Sequence, residues 1–431
     1  MTGLTKRGMF AGAAALAFGG GAPESAAARS TLRPHGKTQP EPASVQGADL
    51  PERSAFTAQE AAAARPEGIA ETIRIAGDDA GAFRRLIASA ASATDPWLVL
   101  SGGGENGAFA AGLLSGWSQA GNRPRFGVVT GVSTGALIAP FAFVGAGADP
   151  VLRANYTEIS AADVFEFGAT PEALTDTWPL KERIGRGVTP HLLAAVAAEH
   201  ERGRRLLIAT TQVDAERPVL WDMGAIARLG GERGLRLFQA IVLASTAVPG
   251  VFPPVLIPAD GQDGRMFSEM HDDGGTMAPF FLAPEAAILG TPDAAGLRLP
   301  ARTVYLVVNN RLTPEFEMAR RTTLSVLGRT MSAAIKAQTR AALALSQGFA
   351  VRTGLDLRVA TIDDRFTRTS PAPFDRDYMR ALYAHGEALG RAGTAFSMEP
   401  AAPGTPAADA ATGIPPRRPT LPVDGRDYAA R

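Results

Sequence analysis

The run Phe126-Gly127-Val128-Val129-Thr130-Gly131-Val132-Ser133-Thr134-Gly135-Ala136-Leu137-Ile138 constrains the fold more than any other stretch. It reads as an apolar strand, a serine flanked by glycines, and an apolar helix. That is the G-x-S-x-G pattern of a nucleophile elbow, which pushes a serine hydroxyl out at the carboxyl end of a sheet. Gly131 and Gly135 have a steric task there, because a side chain at either place would crowd the turn or the packing of helix on strand. The same letters also fit a buried strand that ends by chance in G-V-S-T-G. The pattern is short, so the flanking sequence has to decide.

Upstream, Trp97-Leu98-Val99-Leu100 is a continuously apolar run of the kind that fills a central parallel strand. It leads into Ser101-Gly102-Gly103-Gly104-Glu105-Asn106-Gly107, and then into a helix with Phe109, Leu113, Leu114 and Trp117 on its apolar face. Strand, glycine loop and helix converge bare N–H groups and a helix N-terminus on one point, which suits an anion. A phosphate cradle and an oxyanion hole both fit. A P-loop needs Gly-Lys-Ser/Thr where this chain has Gly107-Ala108-Phe109. A dinucleotide site would tolerate the glycines at 102 to 107, but it needs an acidic residue after the next strand. That strand ends in Thr130 and the serine turn instead, so the loop reads as an oxyanion hole.

The remaining sequence bounds the function. Lys and Arg total 43, as do Asp and Glu, and no basic stripe interleaved with aromatics occurs, so a nucleic-acid partner is not expected. The absence of cysteine excludes disulfides, thiolate metal sites, a cysteine nucleophile and a lipid-modified cysteine. Lys6-Arg7, the uncharged run Gly8 to Pro23, and Ala26-Ala27-Ala28 have the layout of a signal peptide over residues 1–28. Export to the periplasm or medium is expected, the alternative being membrane association through an uncleaved N-terminal segment. Residues 29–54 read as a disordered linker and 55–95 as a helical segment. Later signals are a helix capped by Thr189-Pro190, a strand at 205–211 paired with 219–222, and a helix at 235–243. A strand at 266–271 ends in Asp272-Asp273-Gly274-Gly275. Beyond lie a strand at 303–310, a long helix from Glu315 to about Val351, a strand at 355–362, a helix at 375–391 and a disordered tail over 395–431. The fold class is α/β with a central, mostly parallel sheet.

Four pieces now stand in order: Gly102-Gly103-Gly104-Glu105-Asn106-Gly107, Gly131-Val132-Ser133-Thr134-Gly135, Ala244-Ser245-Thr246-Ala247-Val248-Pro249-Gly250-Val251-Phe252-Pro253-Pro254, and Asp273-Gly274-Gly275. This resembles the patatin-like phospholipase family, strongly from about Pro96 to Phe281 and more loosely to about Thr394. The resemblance implies a three-layer α/β/α sandwich with its catalytic domain at 96–394. It implies a lipid acyl hydrolase using a serine–aspartate dyad, with Ser133 as nucleophile and Asp273 as base. It further implies an oxyanion hole from the amides of Gly102, Gly103 and Gly104, with Gly107, Gly131, Gly135, Gly274 and Gly275 as motif glycines. No metal or cofactor is implied. The expected partner is a phospholipid or other acyl ester, with peripheral membrane contact. One position departs from the family: the basic residue usual before the last loop glycine is Asn106. Either the oxyanion leans more on backbone dipoles, or a substrate without a phosphate is preferred.

Of the five histidines, His35 lies in the linker, His191 and His200 share a helix, and His385 is on the last helix, where a surface place is expected. His271 sits two before Asp273, hence on the same face of a strand, as a structural residue or a conceivable third triad member. Asp272 faces the other side and reads as solvated or structural. Competing functions are a thioesterase or protease on the same dyad, and a lipid-binding protein with weak or no hydrolysis.

Overall fold

The computed structural model describes residues 52–397, except positions 169, 262, 295, 317, 320, 322 and 371. The expected signal peptide, all but the end of the linker and all but the start of the tail lie outside the described residues.

In chain order the elements begin with α1 (Ala58–Ala63), β1 (Arg65–Pro66), β2 (Arg74–Ala76), α2 (Ala80–Ala88), β3 (Trp97–Leu100) and α3 (Gly107–Gln119). They continue with β4 (Val128–Gly131), α4 (Thr134–Val144), α5 (Asp149–Thr157), β5 (Glu166–Phe167), β6 (Thr175–Asp176), α6 (Trp178–Gly187) and α7 (Pro190–Glu201). Next come β7 (Arg205–Gln212), β8 (Arg217–Asp222), α8 (Met223–Leu229), α9 (Gly231–Ala244), β9 (Val255–Asp260) and β10 (Met266–Asp273). The last are α10 (Glu285–Leu289), β11 (Thr303–Val308), α11 (Thr323–Thr353), β12 (Asp356–Thr361) and α12 (Arg376–Ala392).

The sheet has a parallel block in the order β7, β4, β3, β11, β12. Its strands are buried on both faces and alternate between two cores. Leu98, Leu100 and Val129 face one, while Trp97, Val99 and Val128 face the other. This is the three-layer α/β/α arrangement, and it explains why these strands read as unbroken apolar runs.

The antiparallel strands do the positioning. Along β7, residues 205–208 pair with β4 and residues 210–212 pair with β10, while β8 occupies the opposite edge from 207 to 212. A strand has two edges, so β4 and β10 share one. They run in opposite senses, and their carboxyl ends meet head-on where β4 stops at Gly131 and β10 stops at Asp273. That meeting brings together strand ends 142 positions apart in sequence.

On one face, α3 and α12 pack backbone to backbone. A Cβ at Gly112 would lie 2.0 Å from Tyr383 O, and one at Gly116 would lie 2.0 Å from Glu387 O. Gly386 and Gly390 present the reciprocal contacts, at 2.3 Å from Phe109 O and 2.2 Å from Leu113 O. Two interlocked pairs of glycines therefore set this helix spacing, and any side chain there would force the helices apart.

Three expectations change. The 55–95 segment is not purely helical: β2 pairs with β8 and β1 with β9, so it completes the sheet at both places. Pro66, Gly68 and Gly77 interrupt the helical composition. The helix expected from Glu315 begins at Thr323, because Glu315 is held outside it by Arg311, Lys336 and Arg329. The start of the expected tail is ordered: Ser397 exchanges two backbone hydrogen bonds with Val359, each 2.9 Å, and the Phe396 ring packs tilted against Trp117 and edge-on to Tyr305. At the other end, Arg53 of the expected linker pairs with Asp214 at 2.6 Å.

Candidate active site

Ser133 stands between β4 and α4 with φ 55 and ψ −125, a conformation that costs a non-glycine residue roughly 1–3 kcal/mol. The chain turns there too sharply for side chains on either flank. A Cβ at Gly131 would lie 2.5 Å from Gly135 O, and one at Gly135 would lie 2.4 Å from Leu100 O. The turn is held from below by Ser245, which is fully buried. Its Oγ accepts from Ser133 N–H at 3.1 Å and donates to Ala209 O at 2.8 Å. In the sequence Ser245 stands inside the Ala244–Pro254 motif with no local signal of this task.

Asp273 meets Ser133 from the end of β10. Its backbone is fixed on both sides, N–H donating to Ala247 O at 3.0 Å and C=O accepting from Thr211 Oγ1 at 2.9 Å. Its Oδ1 accepts from Gly275 N–H at 2.7 Å, and a Cβ on Gly275 would crowd that oxygen at 3.0 Å. Gly274 passes too near Ala209 O, 2.4 Å from a notional Cβ, for any larger residue. Burial pushes the Asp273 carboxyl up to about 7, opposed by hydrogen bonding from Ser133 and Gly275 and assisted by the charge of Asp272. Ser133 is thus the hydroxyl that faces the Asp273 carboxyl, and such catalytic pairs commonly tighten only when substrate binds.

The glycine loop lies alongside. A Cβ on Gly102 would be 3.1 Å from Ser133 Cβ, so the two backbones nearly touch. Gly103 has φ 154 and no room for a side chain, since Asn309 O would be 2.2 Å away. Gly104 has φ 57. Gly102 N–H is committed to Pro279 O at 2.9 Å, and Asn106 N–H to Gly103 O at 3.1 Å, whereas Gly103 and Gly104, like Glu105, have no backbone partner for their N–H among the described residues. Thr134 N–H, at the first position of α4, is likewise free of a backbone partner and sits on the positive end of the helix dipole. Gly107 leaves space for Thr134 Oγ1, 2.3 Å from its notional Cβ.

Asn309, fully buried at the end of β11, clamps the loop. Its N–H donates to Ser101 Oγ at 2.8 Å, its Nδ2 to Ser101 O at 3.0 Å, and its Oδ1 accepts from Ala110 N–H at 3.2 Å. The only sequence signal was a polar pair closing an apolar strand. Within the loop, Glu105 is buried, and burial raises its carboxyl to about 8. It accepts from Phe374 N–H. Asn106, which stands in place of a basic residue, accepts from Tyr378 Oη at 2.7 Å. Loop and N-terminal end of α12 are thus tied by two adjacent side chains.

No histidine among the described residues bonds Ser133 or Asp273. His271 shares the face of Asp273 and is fully buried, but its Nδ1 pairs with Thr210 Oγ1 at 3.0 Å and its Nε2 lies 3.6 Å from Glu269. Glu269 is in turn held by Arg74 and Gln212, so His271 belongs to a polar network beneath the site. His385 is half-buried against Asp363, at 3.3 Å, rather than on the surface. His200 is buried near Asp222 at 3.4 Å, and burial lowers its pKa to about 4. His191 is exposed. Asp272 is half-buried rather than solvated, and burial raises its carboxyl to about 6.

A cavity of about 1020 Å³ opens over Ser133, Asp273 and the glycine loop. Leu137, Phe141, Leu180, Ile184, Val251 and Phe252 give it apolar walls, with a polar side at Arg311, Glu315 and Tyr378. The size and lining suit an apolar chain carrying a polar group. Among the described residues no group of three or more His, Asp or Glu side chains is arranged to hold a metal, and no helix is long and apolar enough to cross a membrane.

Residues 98–284 match the family model described as patatin-like phospholipase. Among solved structures, VipD from Legionella pneumophila is similar at 13% identity over 70% of this chain and 67% of that one, with a TM-score of 0.29. No curated protein matches. The span of the family model contains the glycine loop, the serine turn, Ser245 and Asp273, and supports a lipid acyl hydrolase. Residues 98–284 of this chain are a patatin-like phospholipase domain.

Proposed function

We propose that the protein is a serine acyl hydrolase that cleaves carboxylic esters of lipids through a Ser133–Asp273 dyad. The observation that carries this reading is the head-on meeting of β4 and β10, which sets a strained, outward serine against a buried carboxyl. Serine is a weak nucleophile until a base takes its proton. Asp273, raised to about 7, is matched to that task near neutral pH. In acylation the Ser133 hydroxyl attacks the ester carbonyl and Asp273 accepts its proton. The oxyanion falls to the amides of Gly103 and Gly104, with Thr134 N–H at hand, where each donor is worth about 3 kcal/mol in the transition state. Asp273 then protonates the leaving alcohol, and a water, activated by the same carboxylate, releases the acid. Two free amides and a helix N-terminus supply the positive potential without a cation at position 106.

Export through the N-terminal leader is part of the proposal, and N-terminal sequencing of protein from whole cultures tests it. The activity is tested by profiling acids released from mixed phospholipids and neutral acylglycerols. Wild type releases fatty acid and Ser133→Ala does not. Release that persists in Ser133→Ala would overturn the reading.

A further inference from the structure

Helix α6 turns one cation into the cavity. Arg183 lines the same wall as Leu180, Ile184 and Val188 and is half-buried among them. Its single hydrogen bond among the described residues runs from Nη2 to Asn155 Oδ1 at 3.1 Å. No carboxylate among the described residues lies within ion-pair distance of it; Asp163 and Glu158 act on it only at longer range, and Arg186 repels it. Two other cations that line the cavity, Arg311 and Lys336, share Glu315 instead, while Arg368 lines it from an exposed position. Withdrawing a guanidinium from water without a counter-charge is costly, and burial accordingly lowers its hold on the proton. Its remaining N–H groups form a fork suited to two oxygens of one anion.

Arg183 is also linked to the serine turn. Asn155 precedes Tyr156 on α5, and Tyr156 Oη lies 2.6 Å from Thr134 Oγ1, the residue after Ser133. We propose that Arg183 is a specificity residue for this site, binding an oxyanionic group, phosphate or carboxylate, that the lipid substrate carries next to its apolar chain. This deepens the hydrolase reading and rests on it for turnover.

The test separates binding from hydrolysis. An ether-linked alkyl glycerophosphate, which no esterase cleaves, is titrated calorimetrically against wild type, Arg183→Gln and Arg183→Lys, beside the matching alkylglycerol. The preference for phosphate over alkylglycerol falls by about 10- to 100-fold in Arg183→Gln and recovers in part in Arg183→Lys. The same ratio of kcat/KM falls for a monoacyl glycerophosphate against a monoacylglycerol. An unchanged preference in Arg183→Gln, or an equal loss for both ligands, overturns the assignment. Inorganic phosphate is titrated alone. Binding as tight as that of the alkyl glycerophosphate would show a free-anion site and overturn the lipid-borne one. A wild type that binds with an Arg183-dependent preference yet cleaves no ester would refute the hydrolase reading while leaving the anion site standing.

Discussion

The floor of the cavity and its walls are built by different physics. The floor comprises the glycine loop, the serine turn and the end of β10. It is shaped by backbone passing close to backbone, as where Gly135 nearly touches Leu100 O and Gly103 nearly touches Asn309 O. The walls are tied to the floor, and to one another, by side chains. Glu105 reaches Phe374, Asn106 meets Tyr378, and Arg183 meets Asn155. Close backbone contacts admit glycine alone and tolerate almost no change. Side-chain contacts can be exchanged one at a time. The difference teaches that this chain fixes its chemistry in the floor and keeps its selectivity adjustable in the walls.

Four substitutions sharpen that contrast, beginning with the largest effect. Asp273→Asn keeps the shape of the floor but removes its base, and kcat should fall by about 10²–10⁴-fold. In wild type the carboxylate form is the active one, so kcat/KM measured from pH 5 to 9 should rise about tenfold per unit below a midpoint near 7 and level off above it. A flat profile would show that the carboxyl does not titrate in the free enzyme. Gly135→Ala drives a methyl against Leu100 O and displaces the turn; kcat/KM should drop about 100-fold, with about 1–3 kcal/mol of stability lost by chemical denaturation.

Glu105 sits at the junction of floor and wall, and its effect is on stability. Its carboxyl is raised to about 8 from an ordinary 4.5, so the folded state binds a proton that the unfolded chain releases. The stabilisation is complete below about 4.5 and is lost as pH rises through about 8. Glu105→Gln keeps the neutral geometry. It should match wild type near pH 5 and exceed it at pH 9 by on the order of 2 kcal/mol or more, read from urea midpoints. Parallel curves for the two proteins would show that Glu105 does not titrate. The smallest change is Tyr378→Phe, which frees Asn106 and should cost about 0.5–1.5 kcal/mol with KM moved only a few-fold.

The same contrast explains what could be read in advance. The serine turn and glycine loop were legible because close approach demands glycine at fixed local spacings. Ser245, Asn309 and Glu105 were not, because their tasks depend on partners 112, 208 and 269 positions away. Asp273 was found only through resemblance, since two acids and two glycines after a strand describe an ordinary turn equally well. The interlocked glycines at 112, 116, 386 and 390 gave no signal separately; each matters because of the helix opposite. The 55–95 segment misled because Arg74-Ile75-Ala76 has no strand character of its own and becomes one against β8.

The central claim is that Ser133 is an activated nucleophile. Incubation with a fluorophosphonate probe, followed by peptide mapping, tests it directly. Labelling should fall on the peptide containing Ser133, vanish in Ser133→Ala, and slow by about 100-fold or more in Asp273→Asn. An unlabelled wild type, or a label on another serine that survives Ser133→Ala, would contradict the account.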